Sequence, residues 1–105
     1  MDFKELAENL GLDEDEYLEL VELLIETSRT DLEGIEAAIR GENSDEAANA
    51  LHSIKGAAGN LGFMEIYDLA RQGEQMAKEG MLDQLADTIQ RLKSKVDSLA
   101  HVANL

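Results

Sequence analysis

A chain of 105 residues has room for one domain and one modest core, and its lack of cysteine rules out disulfides and thiolate metal sites. Its 23 acidic residues against 9 basic ones, a net charge of −14, argue against nucleic acid and anionic lipid as partners without naming any other. The start, Met1-Asp2-Phe3-Lys4-Glu5, lacks the basic and apolar regions of a signal peptide, and no apolar run approaches the roughly 20 residues that span a bilayer, so a cytoplasmic protein is expected.

With no proline and only 4% aromatic residues, the apolar set is mostly Leu, Ile, Ala and Met, which suits helices packed on helices. Phe3 to Leu10 reads as a short helix closed at Gly11. Asp13 is placed as the next N-cap, with Glu16 positioned to complete a capping box. Leu18, Val21, Leu24, Ile25, Ser28, Leu32, Ile35 and Ile39 then recur at helical spacing to about Arg40, where Gly41 is expected to stop the helix. Asn43 and Glu46 form a second capping pair for a helix from about Ser44 to Leu61, broken at Gly62-Phe63. Ile66, Leu69, Ala70, Gly73, Met76 and Ala77 stripe a further helix that ends at Gly80. The last carries Leu82, Leu85, Ile89, Leu92, Val96 and Leu99, has no clear cap at its start, and holds Lys93 and Lys95 toward its negative end. Connections this short imply antiparallel neighbours. The expected fold is all-α: an up-and-down antiparallel four-helix bundle with a short extra N-terminal helix, a single domain over residues 1–105, and a monomer.

The Ser44–Leu61 helix breaks its own rules. At about 100° per residue with His52 at zero, Ala47, Ala50, Ile54, Ala57, Ala58 and Leu61 cluster round the opposite pole, with Leu51 at the edge of that face. Ala48, Asn49, Lys55, Gly56 and Gly59 lie around His52, which is therefore expected to face solvent. Each glycine inside a helix costs roughly 0.8–1 kcal/mol relative to alanine. Close helix packing does not explain Gly56 and Gly59 if both lie on the open side. The remaining accounts are clearance for something approaching the imidazole, or an early helix end at Gly56 against the continuing apolar period.

Charge points the same way. Between Glu46 and Glu65 the chain has no acid, and Lys55, one turn from His52, is the only charged residue. An exposed imidazole cleared by glycines and backed by a cation suits a phosphorylated side chain, whose negative charge the lysine would stabilise. A solvated surface histidine beside a surface lysine explains the pair but leaves the glycines unexplained.

The run Ala50-Leu51-His52-Ser53-Ile54-Lys55-Gly56-Ala57-Ala58-Gly59-Asn60-Leu61-Gly62 resembles the signature of the histidine-containing phosphotransfer (HPt) domains of two-component phosphorelays. The resemblance implies that His52 Nε2 takes a phosphoryl group from a receiver-domain aspartate, or from a histidine kinase in a variant of the scheme, and returns it to another receiver. It implies no kinase activity and no cofactor of the chain's own, the Mg²⁺ of phosphoryl transfer belonging to the receiver. It also places a carboxylate or amide on the following helix beside the imidazole. Glu74, flanking the core stripe of its helix, aligns there and would accept from Nδ1–H, although an ion pair with Lys78 one turn on is the plain alternative. Lys55 and Glu74 would thus assist His52, and Ala48, Gly56, Gly59, Arg71 and Lys78 would form the edge offered to phosphate or partner. A start methionine without a linker favours a free-standing carrier.

A di-metal carboxylate bundle needs inward Glu-x-x-His pairs, and the residues three before His52 and His101 are Asn49 and Ser98. A non-phosphorylated helical adaptor would dock a partner through the Ala/Gly-rich face, leaving His52 incidental. His101, near the C-terminus, reads as solvated.

Overall fold

The computed structural model describes residues 2–105, so Met1, the first residue of the acidic start, lies outside the described residues. Five helices follow one another: α1 (Phe3–Asn9), α2 (Glu14–Arg40), α3 (Ser44–Leu61), α4 (Met64–Lys78) and α5 (Leu82–Val102). The described residues contain no strand, and no helix among them is long and apolar enough to cross a membrane.

Helix ends fall where local chemistry puts them. Asp2 caps α1 by accepting from Glu5 N–H at 3.1 Å, and Asn43 caps α3 by accepting from Glu46 N–H at 3.1 Å. At α2 the Glu16 carboxylate accepts from the backbone N–H of Asp13 at 3.1 Å. Gly11, Gly62 and Gly80 take left-handed backbone at the ends of α1, α3 and α4. The end of α2 differs. Gly41 has φ −88°, and the left-handed residue is Glu42 at +54°, so the turn is made one residue later. The start of α5 has no side-chain cap, as its sequence suggests. Lys93 and Lys95 lie too far inside α5 to meet its C-terminal dipole. They pair instead with Glu36 on α2 at 3.7 Å and Glu65 on α4 at 2.7 Å.

Four helices surround the core, α2 and α4 each packing against both α3 and α5, while α1 lies on α2. Tyr17, Ile25, Ile35, Leu51, Ile54, Leu85, Ile89 and Leu92 are fully buried between them. The stripe of α2 therefore starts at Tyr17, while Leu18 and Ile39 are only half-buried. The Tyr17 ring sits between Phe3 and Phe63, with centroids 6.4 and 6.2 Å away, and its hydroxyl donates to the carbonyl of Leu61. This one side chain ties the start of α2 to the end of α3.

The packed face of α3 is turned from the position projected above. Its buried residues are Ala47, Ala48, Leu51, Ile54 and Ala58, whereas Ala50, Ala57 and Leu61 are half-buried. The mean direction of the buried set lies about 65° round the helix from the pole opposite His52, toward Leu51 and Ala48. The neighbour responsible is α4, which packs more extensively on α3 than any other pair of helices in the molecule. Gly73 lets it approach, since a Cβ there would stand 3.2 Å from both terminal methyls of Leu51.

Candidate functional site

The turning of α3 decides which residues meet at His52. The imidazole is not on the crest of the helix but on its flank beside α4, and its side chain is still 69% exposed. Across the groove Glu74 projects from α4, its side chain only 8% exposed. Nδ1 of His52 lies 3.0 Å from Glu74 Oε2, so an Nδ1–H donates to the carboxylate, and Nε2 is the ring nitrogen not engaged with Glu74.

Glu74 gathers two further donors. Lys55 Nζ lies 2.7 Å from Oε1, with its side chain drawn in to 23% exposure. Lys78 Nζ lies 3.3 Å from Oε2, one turn along α4, and remains 60% exposed. The pairing with His52 and the plain ion pair with Lys78 are thus both present. Burial by itself would push the Glu74 carboxyl pKa up. The hydrogen bonds from Lys55, His52 and Lys78, with the charge of Lys55, outweigh it and hold the group at about 2. Lys55, expected as a cation waiting at the imidazole, is in fact engaged with Glu74.

The two glycines of α3 part company. A Cβ on Gly56 would meet nothing within 4 Å, and this exposed position lies close to the true solvent pole of the helix. A Cβ on Gly59 would stand 3.1 Å from Cδ2 of Tyr67 on α4. Close packing against an aromatic ring therefore accounts for Gly59, correcting the expectation that both glycines serve clearance. Early termination at Gly56 is likewise excluded, because α3 continues to Leu61. Ala48, expected beside His52 on the open face, is 7% exposed and belongs to the core, because the packed face is turned toward it. Arg71 is exposed on α4, one turn before Glu74, and makes no ion pair among the described residues.

Tyr67 and Gly73 shape the site and were not recognised for it in the sequence. Tyr67 precedes Arg71, Glu74 and Lys78 at spacings of four, seven and eleven, which alone marks it as sharing their face. Nothing in the sequence says that Gly59 lies opposite. Among the described residues, no group of three or more His, Cys, Asp or Glu is placed to hold a metal ion. A cavity of about 340 Å³ lined by Leu6, Phe63, Met64, Leu99 and Val102 opens near the C-terminal end of α3, on the order of 15 Å along that helix from His52.

A family model described as Hpt domain matches residues 19–102, from within α2 to the last residue of α5, leaving α1 outside. Neither the curated proteins nor the solved structures provide a match. The matched segment carries every residue of the His52 site, and the family consists of phosphotransfer carriers, not kinases, that interact with receiver domains and kinases of two-component systems. The chain is a member of the Hpt domain family, with a phosphotransfer role in two-component signalling.

Proposed function

We propose that His52 is the phosphoacceptor of a phosphorelay carrier, taking a phosphoryl group from a receiver aspartate, or from a histidine kinase, and passing it to another receiver. The observation that carries this reading is a ring 69% exposed whose Nδ1 is tied at 3.0 Å to a buried carboxylate. With Nδ1 protonated and donating to Glu74, the lone pair of Nε2 is free to attack phosphorus. The N–P bond forms as the acyl-phosphate P–O bond breaks, and the aspartate leaves as a carboxylate. The positive charge that develops on the ring is met by Glu74, so His52 need lose no proton as the bond forms.

The phosphoryl group then carries about two negative charges, for which Lys55, one turn away on α3, is the nearest cation on its own helix. Gly56 keeps the approach clear, and Arg71 and Lys78 form the cationic edge toward the partner. The reading assigns Mg²⁺ to the receiver and no cofactor to this chain. It takes residues 1–105 as one cytoplasmic, monomeric domain, an up-and-down antiparallel bundle with α1 appended. One pair of helices supports that topology: His52 meets Glu74 while Gly59 faces Tyr67, so contacts advance along α3 as they recede along α4, as in an antiparallel pair.

The test is transfer from a phosphorylated receiver domain with Mg²⁺, scored as acid-labile, base-stable phosphate on this chain. Wild type should become labelled and His52→Gln should not. Label on His52→Gln, or none on wild type across the receivers of its own organism, would overturn the assignment and favour a docking adaptor. Gly56→Leu should fold and lose most of the transfer rate.

A further inference from the structure

Three donors converge on one carboxylate, and they are not equivalent. Lys55 holds Oε1 at 2.7 Å from α3, on the helix that carries His52, while Lys78 holds Oε2 at 3.3 Å from the helix that carries Glu74. Lys55 and His52 stand one turn apart, so a phosphoryl group on Nε2 competes with Glu74 for the Lys55 ammonium. Lys78 has no such conflict built into its helix, being four residues beyond Glu74 on the same face, the spacing at which a Glu and a following Lys attract. If Lys55 left with nothing in its place, a carboxylate 8% exposed would lose its closest cation just as a dianion appeared beside it.

We infer that Lys78 is a positioning residue, the standing counter-ion that keeps Glu74 charged and aimed at His52 Nδ1 when Lys55 turns to the phosphoryl group. This inference rests on the proposed function for its purpose, but the arrangement it describes is testable in the unphosphorylated protein. Lys55 and Lys78 hold one carboxylate in parallel, so either alone suffices at rest. Their roles diverge only on loading: Lys55 is shared with the phosphate, whereas Lys78 stays with Glu74.

The experiment reads the imidazole tautomer of His52 from its ¹⁵N chemical shifts, in wild type, Lys55→Met, Lys78→Met, the double variant, and Lys55→Met combined with Lys78→Arg. Methionine keeps the apolar stem and removes the charge, and circular dichroism confirms the helices. Each single variant should keep the Nδ1–H form dominant. The double variant should shift the tautomer ratio by about tenfold toward Nε2–H, equivalent to losing ~1.4 kcal/mol of preference. Arginine at 78 should restore it, which a bulk or stem effect would not. A double variant indistinguishable from Lys55→Met overturns the inference, and so does failure of the arginine rescue.

A second measurement follows the loaded protein. Lys78→Met should slow return of phosphate to a receiver several-fold while Lys78→Arg matches wild type, and equal rates for all three would again overturn it. Absence of any labelling of wild type would sink the phosphoacceptor reading alone, leaving the tautomer result to stand by itself.

Discussion

A carboxylate removed from water is costly unless its lone pairs are filled, and Glu74 fills them with an imidazole N–H and two ammonium groups. Its pKa of about 2 lies below the ordinary 4.5, so between those values the unfolded chain binds a proton that the folded chain does not. The stabilisation is therefore whole above about pH 4.5 and disappears as pH falls toward 2. Glu74→Gln keeps an acceptor near Nδ1 but drops the charge, and should cost about 1–3 kcal/mol at pH 7. In urea titrations the gap between wild type and this variant should narrow steadily as pH falls from 5 toward 2; a gap independent of pH would mean the charge is not what stabilises. Transfer by Glu74→Gln should slow by about tenfold, the consequence of weakening a positioning interaction by ~1.4 kcal/mol. The nearness of Glu74 to His52 was legible from the resemblance and from its flank position. Its simultaneous hold on both lysines was not, because linear spacing cannot say which of two helices will supply a partner.

Helix α3 illustrates how a periodic pattern fixes that a face is buried without fixing its centre. Alanines at positions 47, 48, 50, 57 and 58 are apolar enough for either side, so the pattern alone centred the buried arc opposite His52, about 65° from where it lies. The close approach of α4 at Gly73 accounts for the difference. Alanine substitutions separate the three glycines. Gly56→Ala should stabilise by roughly 0.5–1 kcal/mol, a gain in helix propensity with nothing to collide with. Gly59→Ala should gain less or lose, because its methyl presses on Tyr67 at 3.1 Å. Equal gains at both positions would remove the packing account of Gly59. Gly73→Ala meets two methyls of Leu51 at 3.2 Å and Leu85 at 3.4 Å, and should destabilise by about 1–3 kcal/mol. Because that contact also sets the spacing between α3 and α4, the variant should lose transfer as well. Retained transfer in a destabilised Gly73→Ala would show that the His52–Glu74 distance is set elsewhere.

Across the whole molecule, extending 42 × 21 × 17 Å, a net charge of −14 is spread over helices whose acids outnumber the cations available to pair with them. Such self-repulsion opposes the compact state and is screened once the Debye length falls below typical charge separations. Raising sodium chloride from about 0.01 M to about 0.5 M should lift Tm by several degrees, since 1 kcal/mol corresponds to ~4–8 °C in a domain of this size. A flat response would show the acids to be balanced locally. The site itself is an exception in this landscape, with Lys55 and Lys78 holding one buried acid and Arg71 exposed one turn before it on α4. At this scale α1 stands apart: it lies outside the family match, yet Phe3 packs on the Tyr17 ring whose hydroxyl reaches Leu61.

Local chemistry determined most of the helix ends, because caps, left-handed glycines and 3.6-residue periodicity act within a few residues of chain; the exceptions are the uncapped start of α5 and the turn after α2, made at Glu42 rather than Gly41. It also determined that His52 stays outside, since no arrangement burying Leu51, Ile54 and Ala58 puts that ring inside. Three things waited for the packed structure: which flank of α3 the histidine occupies, that Ala48 is core and Gly59 a contact for Tyr67, and that both lysines converge on Glu74. Each depends on the rotation of one helix against another. That rotation follows from how side chains such as Leu51 fit the space left at Gly73, a fit between residues far apart in the chain that no local pattern encodes.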